Sequence, residues 1–300
     1  MQKSAKGKVG VVGLGIMGGA IARNLAAAGW QVTGHDIDDA KQRELSGAGV
    51  TIAKNVSELV NSAPVVLTSL PNPGALQKVA GEIAAARAPK RIVAELSTFA
   101  IEDKVKAEQT LRSADHVLLD CPLSGTGAQA KTKDLVVYAS GDPKSIAALQ
   151  PLFSDFAREW RDLGAFGNGM RMKLVANLLV AIHNVATAEA FVLGIKAGLD
   201  PTAIFELVKS GAGNSRVFEL RGPMMVEGRY DDATMKIDVW QKDMSIIREF
   251  AASLRCPTPM FDATVPVYDS ALARGMGAQD TAAVCAVLEA MAGVRRGRTA

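Results

Sequence analysis

Short runs of consecutive apolar residues alternate, through the first half of the chain, with longer segments of helical composition or spacing. Val9–Val12, Gln31–His35, Val65–Leu70, Arg91–Leu96 and Val117–Asp120 read as strands. Between them, Ile16–Ala28, Asp38–Leu45, Pro73–Ala86 and Ile101–Leu111 read as helices. Alternation of this kind predicts parallel βαβ units in a doubly wound α/β sheet. Leu135–Ala139 and Glu159–Asp162 are expected to extend that sheet, with Pro143–Phe153 helical between them. After the glycine-rich hinge Gly164–Gly169 the β-runs stop. Met170–Ala197 reads as one long Ala/Val/Leu-rich helix ended by Gly198, apolar around most of its circumference and expected to be buried on nearly every side. Further helices are predicted at Pro201–Lys209, Lys242–Leu254, Val265–Arg274 and Thr281–Gly293. The chain therefore divides, on this reading, into a sheet domain over residues 1–165 and an all-helical domain over 166–300.

The first strand runs into Gly13-Leu14-Gly15-Ile16-Met17-Gly18, and a helix-period segment leaves it. Glycines at this spacing let the backbone turn tightly and come within hydrogen-bonding distance of a pyrophosphate. The following helix offers its unpaired N–H groups and positive dipole end. The pattern predicts a Rossmann-type dinucleotide site lined by Gly13, Leu14, Gly15, Ile16, Met17 and Gly18. Asp36 ends the second strand about 20 residues beyond the glycines, where a carboxylate accepts both ribose hydroxyls and repels a 2′-phosphate. Ile37 and Asp38 follow it, not arginine, so NAD is expected ahead of NADP. Lys41 and Arg43 are the cations that would grip a 2′-phosphate. Asp38 fits a helix cap.

Composition narrows the rest. The 300 residues are 48% hydrophobic and 22% charged, as in a globular protein with a sizeable core. A net charge of +3, evenly spread, gives no reason to expect a nucleic-acid partner. The basic tail Arg295-Arg296-Gly297-Arg298 reads as a solvated terminus. Cys121, Cys256 and Cys285 lack metal-site spacing, so no metal is expected and a reducing cytoplasm suits them. No signal-peptide pattern follows the first apolar run. No uninterrupted apolar span reads as long enough to cross a bilayer, so no membrane partner is expected.

Two further segments carry chemistry. Asp120-Cys121-Pro122-Leu123-Ser124-Gly125-Thr126-Gly127 places a Ser–Gly turn after a strand. It is either an ordinary glycine loop or a nest of N–H groups for a carboxylate. In Gly167–Asn177, Lys173 and Asn177 stand four residues apart, on one face of the long helix. A lysine there either snorkels to solvent or, partly desolvated, exchanges a proton near neutrality. His35, His116 and His183 read as structural, Cys121 has no cue for an activated thiolate, and Met224-Met225 reads as packing.

Together these motifs resemble the β-hydroxyacid dehydrogenase family, the group that contains 3-hydroxyisobutyrate dehydrogenase and tartronate semialdehyde reductase. Gly13–Leu25 looks like its N-terminal signature. Asp120–Gly127 is similar to its Asp-x-Pro-x-Ser-Gly-Gly substrate motif, and Gly167–Asn177 to its Gly-x-Gly-x-x-x-Lys-x-x-x-Asn motif. Lys242-Asp243 resembles its C-terminal Lys-Asp pair, while Leu70-Pro71 and Ser97-Thr98 fall at its cofactor-lining loops. The likeness runs from Lys8 to Gly293. It implies Lys173 as general acid/base and Asn177 as the residue that orients the substrate. Ser124 and Gly125, with the Thr126 backbone, would hold a small carboxylate-bearing substrate. Lys242 would complete the site beside the nicotinamide. It also implies a homodimer or homotetramer built on the long helix. Thr126 in place of a second glycine, Ala176 in place of an asparagine and Met235 in place of an aromatic depart from the pattern and put the usual substrates in doubt. The alternatives are an NADP-linked semialdehyde reductase and a catalytically inactive nucleotide-binding or scaffold protein of the same fold. Imine reduction is the other chemistry of this fold, and that branch generally lacks the lysine.

Overall fold

The computed structural model describes residues 6–294, so the tail Arg295–Arg298 lies outside the described residues. The chain forms two compact units, Met1–Lys173 and Leu174–Ala300. In the first, β1 (Lys8–Val12), β2 (Gln31–His35), β3 (Thr51–Ile52), β4 (Val65–Thr68), β5 (Ile92–Glu95) and β6 (Val117–Asp120) form one sheet in the order β3-β2-β1-β4-β5-β6. Every pairing in it is parallel. Successive strand residues point to opposite faces. Val9, Val11, Leu67, Ala94 and Leu119 join one apolar core with α1 (Ile16–Ala27) and α7 (Pro143–Phe156). Val12, Val66, Val93 and Leu118 join the other with α3 (Val56–Ser62), α4 (Pro73–Ala85) and α5 (Ile101–Arg112). Between β2 and β3, α2 (Asp39–Ser46) is capped by Asp38, whose side chain accepts the Ala40 N–H, as the sequence indicated. Strand order reverses between β1 and β4, which opens a ligand crevice at the carboxyl ends of these strands.

The last strands of this unit do not extend the parallel sheet. β7 (Leu123–Ser124), β8 (Val136–Ala139) and β9 (Glu159–Asp162) form a second, three-stranded sheet in the order β7-β8-β9. The β7–β8 pair is antiparallel and β8–β9 parallel. The bridge Asp120↔Ser140, also antiparallel, ties it to the end of β6. Pro122 interrupts the chain just after β6, and having no N–H it cannot carry the ladder on. β7 then turns back through α6 (Gly127–Lys131), so β8 returns antiparallel to β6.

α8 (Asn168–Lys196) has 29 residues and would measure about 44 Å. It is less enclosed than its composition predicts. Met172, Val175, Leu179 and Leu193 lie exposed along it. Among the described residues it is the one helix long and apolar enough to cross a membrane, which differs from the sequence expectation. Lys173, Asn177, Asn184 and Thr187 nevertheless lie buried along it, the pattern of a core helix with polar anchors.

The second unit continues with α9 (Pro201–Lys209), α10 (Arg216–Glu227), α11 (Ile237–Ser253), α12 (Pro259–Ala273), a 3₁₀ turn (Thr281–Ala283) and α13 (Val284–Met291). The sequence pattern did not single out α10. Asn184 donates its amide to the Tyr268 hydroxyl (2.9 Å) and the Thr281 carbonyl (2.8 Å). Asp280, fully buried, accepts from Arg221 Nε (3.3 Å) and the Ala282 N–H (3.0 Å) on one oxygen. Its other oxygen accepts the Thr234 N–H and hydroxyl, both at 2.8 Å. Burial alone would raise the Asp280 pKa, but the Arg221 guanidinium and these N–H donors outweigh it and hold the carboxyl below its usual range.

A carboxylate whose pKa is depressed by folding contributes stability above its unfolded value of about 3.9, and that contribution is lost as pH falls through the folded value. Asp280→Asn is therefore expected to destabilise the helical unit by about 3 kcal/mol at neutral pH, because it leaves Arg221 buried without its counter-charge. The gap from wild type should narrow below about pH 4. Urea titration with amide exchange read at α10 to α13 checks both, and a gap that stays constant with pH would refute the linkage.

Candidate active site

The glycine loop closes over β1 because two of its glycines have no room for a side chain. Gly13 has φ +90°, and a Cβ there would lie 2.1 Å from the Ser69 carbonyl oxygen. A Cβ on Gly18 would lie 1.9 Å from the Gly13 carbonyl, so the first turn of α1 sits directly on the loop. Gly15 is the opposite case: a Cβ there would meet nothing within 4 Å. Its backbone faces open space at the start of α1, where no side chain caps the helix and no acidic residue occupies the first turn. An open cradle over an uncapped helix N-terminus fits a pyrophosphate. Leu14 is buried in the core and anchors the loop, Met17 is half-buried and Ile16 is exposed.

Asp36 fixes this loop from the end of β2. Its Oδ2 accepts the Leu14 N–H at 2.6 Å, and its Oδ1 accepts the Asp38 N–H at 2.9 Å. A carboxylate offers about four lone-pair sites, so acceptor capacity remains for sugar hydroxyls. Lys41 Nζ lies 3.7 Å from Asp38 Oδ2. The register pairs Val12 with His35 and Thr68, and Thr68 with Glu95, so the loops after β4 and β5 leave at the same edge. There the Leu70 N–H donates to Ser97 Oγ (2.8 Å) and the Ser97 N–H to Glu95 Oε1 (2.8 Å). Pro71 is exposed and Thr98 half-buried on these two loops.

Beyond β7, Gly125 has φ +131°, and a Cβ there would crowd Leu135 Cδ2 at 2.6 Å. The Thr126 N–H donates to Gln129 Oε1 at 3.0 Å, capping α6 from within. A Cβ on Gly127 would lie 2.3 Å from Ile16 Cγ2, so the Ser124–Gly127 loop packs on the glycine loop.

A buried ionic group lies beneath the start of α8, and the sequence reading assigned it no role. Lys104 Nζ is 2.7 Å from Glu95 Oε2 and 2.7 Å from Asp120 Oδ1, with all three side chains fully buried. Asp120 Oδ2 accepts the Met170 N–H (2.7 Å) and the Ser140 hydroxyl (3.1 Å). Ser140 Oγ in turn accepts the Gly169 N–H (2.9 Å). A Cβ on Gly169 would lie 2.3 Å from the Tyr138 carbonyl, which explains a glycine inside this helix turn. The signal for Lys104 was present: it shares a helical face with Ala107 and Leu111, both buried. Lys173 lies on α8, one turn after Gly169 and Met170, and is itself buried.

In the second unit, Asn177 on α8 is buried and donates Nδ2 to Asp243 Oδ2 at 3.0 Å. Lys242 Nζ, partly exposed, lies 3.5 Å from Asp243 Oδ1. The structure thus brings Asn177 and Lys242 together through Asp243, to which the sequence reading gave no function.

The remaining polar candidates hold the frame. His35 Nδ1 meets the Ala53 carbonyl at 3.1 Å, and His116 Nδ1 accepts the Arg91 N–H at 3.1 Å. Burial, with Arg91 nearby, pushes the His116 pKa down. Burial, reinforced by Asp120, pushes the Cys121 thiol well up and leaves it unreactive. Among the described residues, no group of three or more His, Cys, Asp or Glu is placed to hold a metal ion.

Comparison with known proteins agrees along nearly the whole chain. Residues 8–190 match the family model of the NAD binding domain of 6-phosphogluconate dehydrogenase. Residues 167–288 match that described as NAD-binding of NADP-dependent 3-hydroxyisobutyrate dehydrogenase. L-threonate dehydrogenase of Cupriavidus necator is 30% identical over 280 residues, 92% of this chain and 94% of the relative. 2-(Hydroxymethyl)glutarate dehydrogenase of Eubacterium barkeri is 28% identical over 299 residues, 98% of each chain. The crystal structure of 3-hydroxyisobutyrate dehydrogenase from Salmonella typhimurium has a TM-score of 0.85 at 28% identity. It is matched over 94% of this chain and 100% of that one.

Proposed function

Because the chain belongs to the β-hydroxyacid dehydrogenase family, NAD(P)-dependent oxidoreductases of CH–OH groups, we propose that it oxidises a small polar hydroxy acid with NAD, using Lys173 as general acid/base. The observation that carries this reading is a buried Lys173 one helical turn before Asn177, which is itself held by Asp243. When bound, the dinucleotide would supply the hydride acceptor or donor for the carbinol carbon. The protein supplies position and a proton. Lys173 Nζ, as the free amine, takes the hydroxyl proton as that oxygen becomes a carbonyl, and in the other direction the ammonium gives it back. Asn177, with one amide hydrogen committed to Asp243, presents the rest of its amide in a fixed orientation to the substrate oxygen. Ser124 and Gly125 receive the carboxylate, and Lys242 adds positive charge. Relatives named for L-threonate and 2-(hydroxymethyl)glutarate favour a polyhydroxy or dicarboxylic substrate, and Thr126 beside the carboxylate loop adds polar surface consistent with that.

Lys173→Ala should lower kcat by about 10²- to 10⁴-fold with NADH affinity unchanged. The check is NADH absorbance with a panel of branched, polyhydroxy and dicarboxylic 3-hydroxy acids, beside a fluorescence titration of NADH. Near-normal turnover by the variant would overturn the assignment.

The NAD preference rests on Asp36, anchored by two backbone N–H groups, and on Lys41 lying toward Asp38. Asp36→Ala is expected to weaken NAD binding by more than about tenfold and NADP binding far less. Equal losses for both cofactors would contradict it.

The exposed apolar residues Met172, Val175, Leu179 and Leu193 on α8 support self-association as a homodimer or homotetramer. Light scattering should give a mass at least twice 31.5 kDa, and a purely monomeric species would exclude it.

A further inference from the structure

Lys104 takes no part in the reaction described above, yet it holds together the parts that do. A lysine fully removed from water normally loses its proton. Here burial alone would lower its pKa, but the attraction of Asp120 and Glu95 outweighs that and raises it. Each carboxylate has a second task. Glu95 Oε1 accepts the Ser97 N–H and Ser97 Oγ the Leu70 N–H, so one arm reaches both loops that line the proposed cofactor site. Asp120 Oδ2 accepts the Met170 N–H, and Ser140, bonded to the same carboxylate, accepts the Gly169 N–H. That arm holds the first turn of the helix that carries Lys173. Gly169 lies too close to the Tyr138 and Asp120 carbonyls to accept a Cβ, so the helix end has no slack to absorb a shift of Asp120.

We infer that Lys104 is a positioning residue for catalysis: its ammonium, 2.7 Å from both Glu95 and Asp120, fixes the cofactor-lining loops relative to the turn that leads to Lys173. The inference rests on the proposed roles of Lys173 and of the loops at Leu70–Pro71 and Ser97–Thr98. Without the cation two carboxylates face each other in the interior, and one must protonate or swing away, releasing Ser97 or Met170. A misplacement near 1 Å is enough to slow a positioned reaction by about 10²-fold.

Lys104→Met keeps the chain length and removes the charge. With the full-length variant, kcat should fall by at least about tenfold while KM for the hydroxy acid changes by less than about threefold. The primary deuterium isotope effect on kcat should rise, because hydride transfer becomes slower. Amide exchange, read without substrate, should accelerate together at residues 69–70, 97–98 and 168–172. The double variant Glu95→Gln/Lys104→Met keeps the wild-type net charge of −1 for this group and guards against failure to fold. It should keep the kcat loss. Wild-type kcat in folded Lys104→Met, its restoration in the double variant, or faster exchange confined to α5 would each overturn the inference. Failure of the underlying reading is visible separately, as wild-type turnover by Lys173→Ala while Lys104→Met still loosens all three segments.

Discussion

The ion group Glu95–Lys104–Asp120 is the constraint on which the sheet unit's functional edge depends. Three full charges buried together carry a desolvation cost of several kcal/mol per ion, which only close contact and further hydrogen bonds repay. Those further bonds run to Ser97, Ser140 and Met170. The group has a net charge of −1, and the positive end of the α8 dipole points at Asp120. Removing one member of such a group costs about 3–5 kcal/mol, far more than an exposed pair contributes. An aliphatic replacement of the whole group would pack as well, but it would direct no N–H group. That difference is why the arrangement matters to function as well as to stability.

The same economy of contacts recurs along the edge. Asp36 holds the Leu14 N–H with one oxygen and the Asp38 N–H with the other, so the residue proposed to meet the ribose also shapes the glycine loop. Ile16 packs on Gly127, so the glycine loop and the Ser124–Gly127 loop are set against each other. In the helical unit Asp243 holds Asn177 and approaches Lys242, while Asp280 gathers Arg221, Thr234 and the 3₁₀ turn. In each place one carboxylate determines the direction of several donors. This follows from the acceptor capacity of an ionised carboxylate in a site with little competing water.

Much of the fold was legible because the signals were local. The strands β1 and β6 were readable to within a residue, since a parallel strand buried on both faces is a nearly continuous apolar run. Short elements escaped: β3 and β7 have two residues each and are made by their neighbours, with no period of their own. α3 was missed although Asn55 caps Glu58 and Val56, Leu59 and Val60 share its buried face, because seven residues carry little periodicity. The assignment of β8 and β9 to the main sheet failed for another reason. Apolar runs specify strands, but Pro122 and the return through β7 specify which sheet they join.

By itself the sequence determined the alternating β/α unit, the glycine loop with Asp36, the helical second half and the order of the motifs that mark the family. Each depends on residues close in the chain, whose spacing is fixed by backbone geometry. Tertiary structure alone decided that Lys104 is a buried tie and not a surface charge. It also decided that the Thr126 N–H is already committed, that Asp243 orients Asn177, and that one side of α8 lies open. These outcomes depend on which groups from distant segments arrive at the same point. A buried charge or amide takes its role from its partner across space, and the sequence around it does not name that partner.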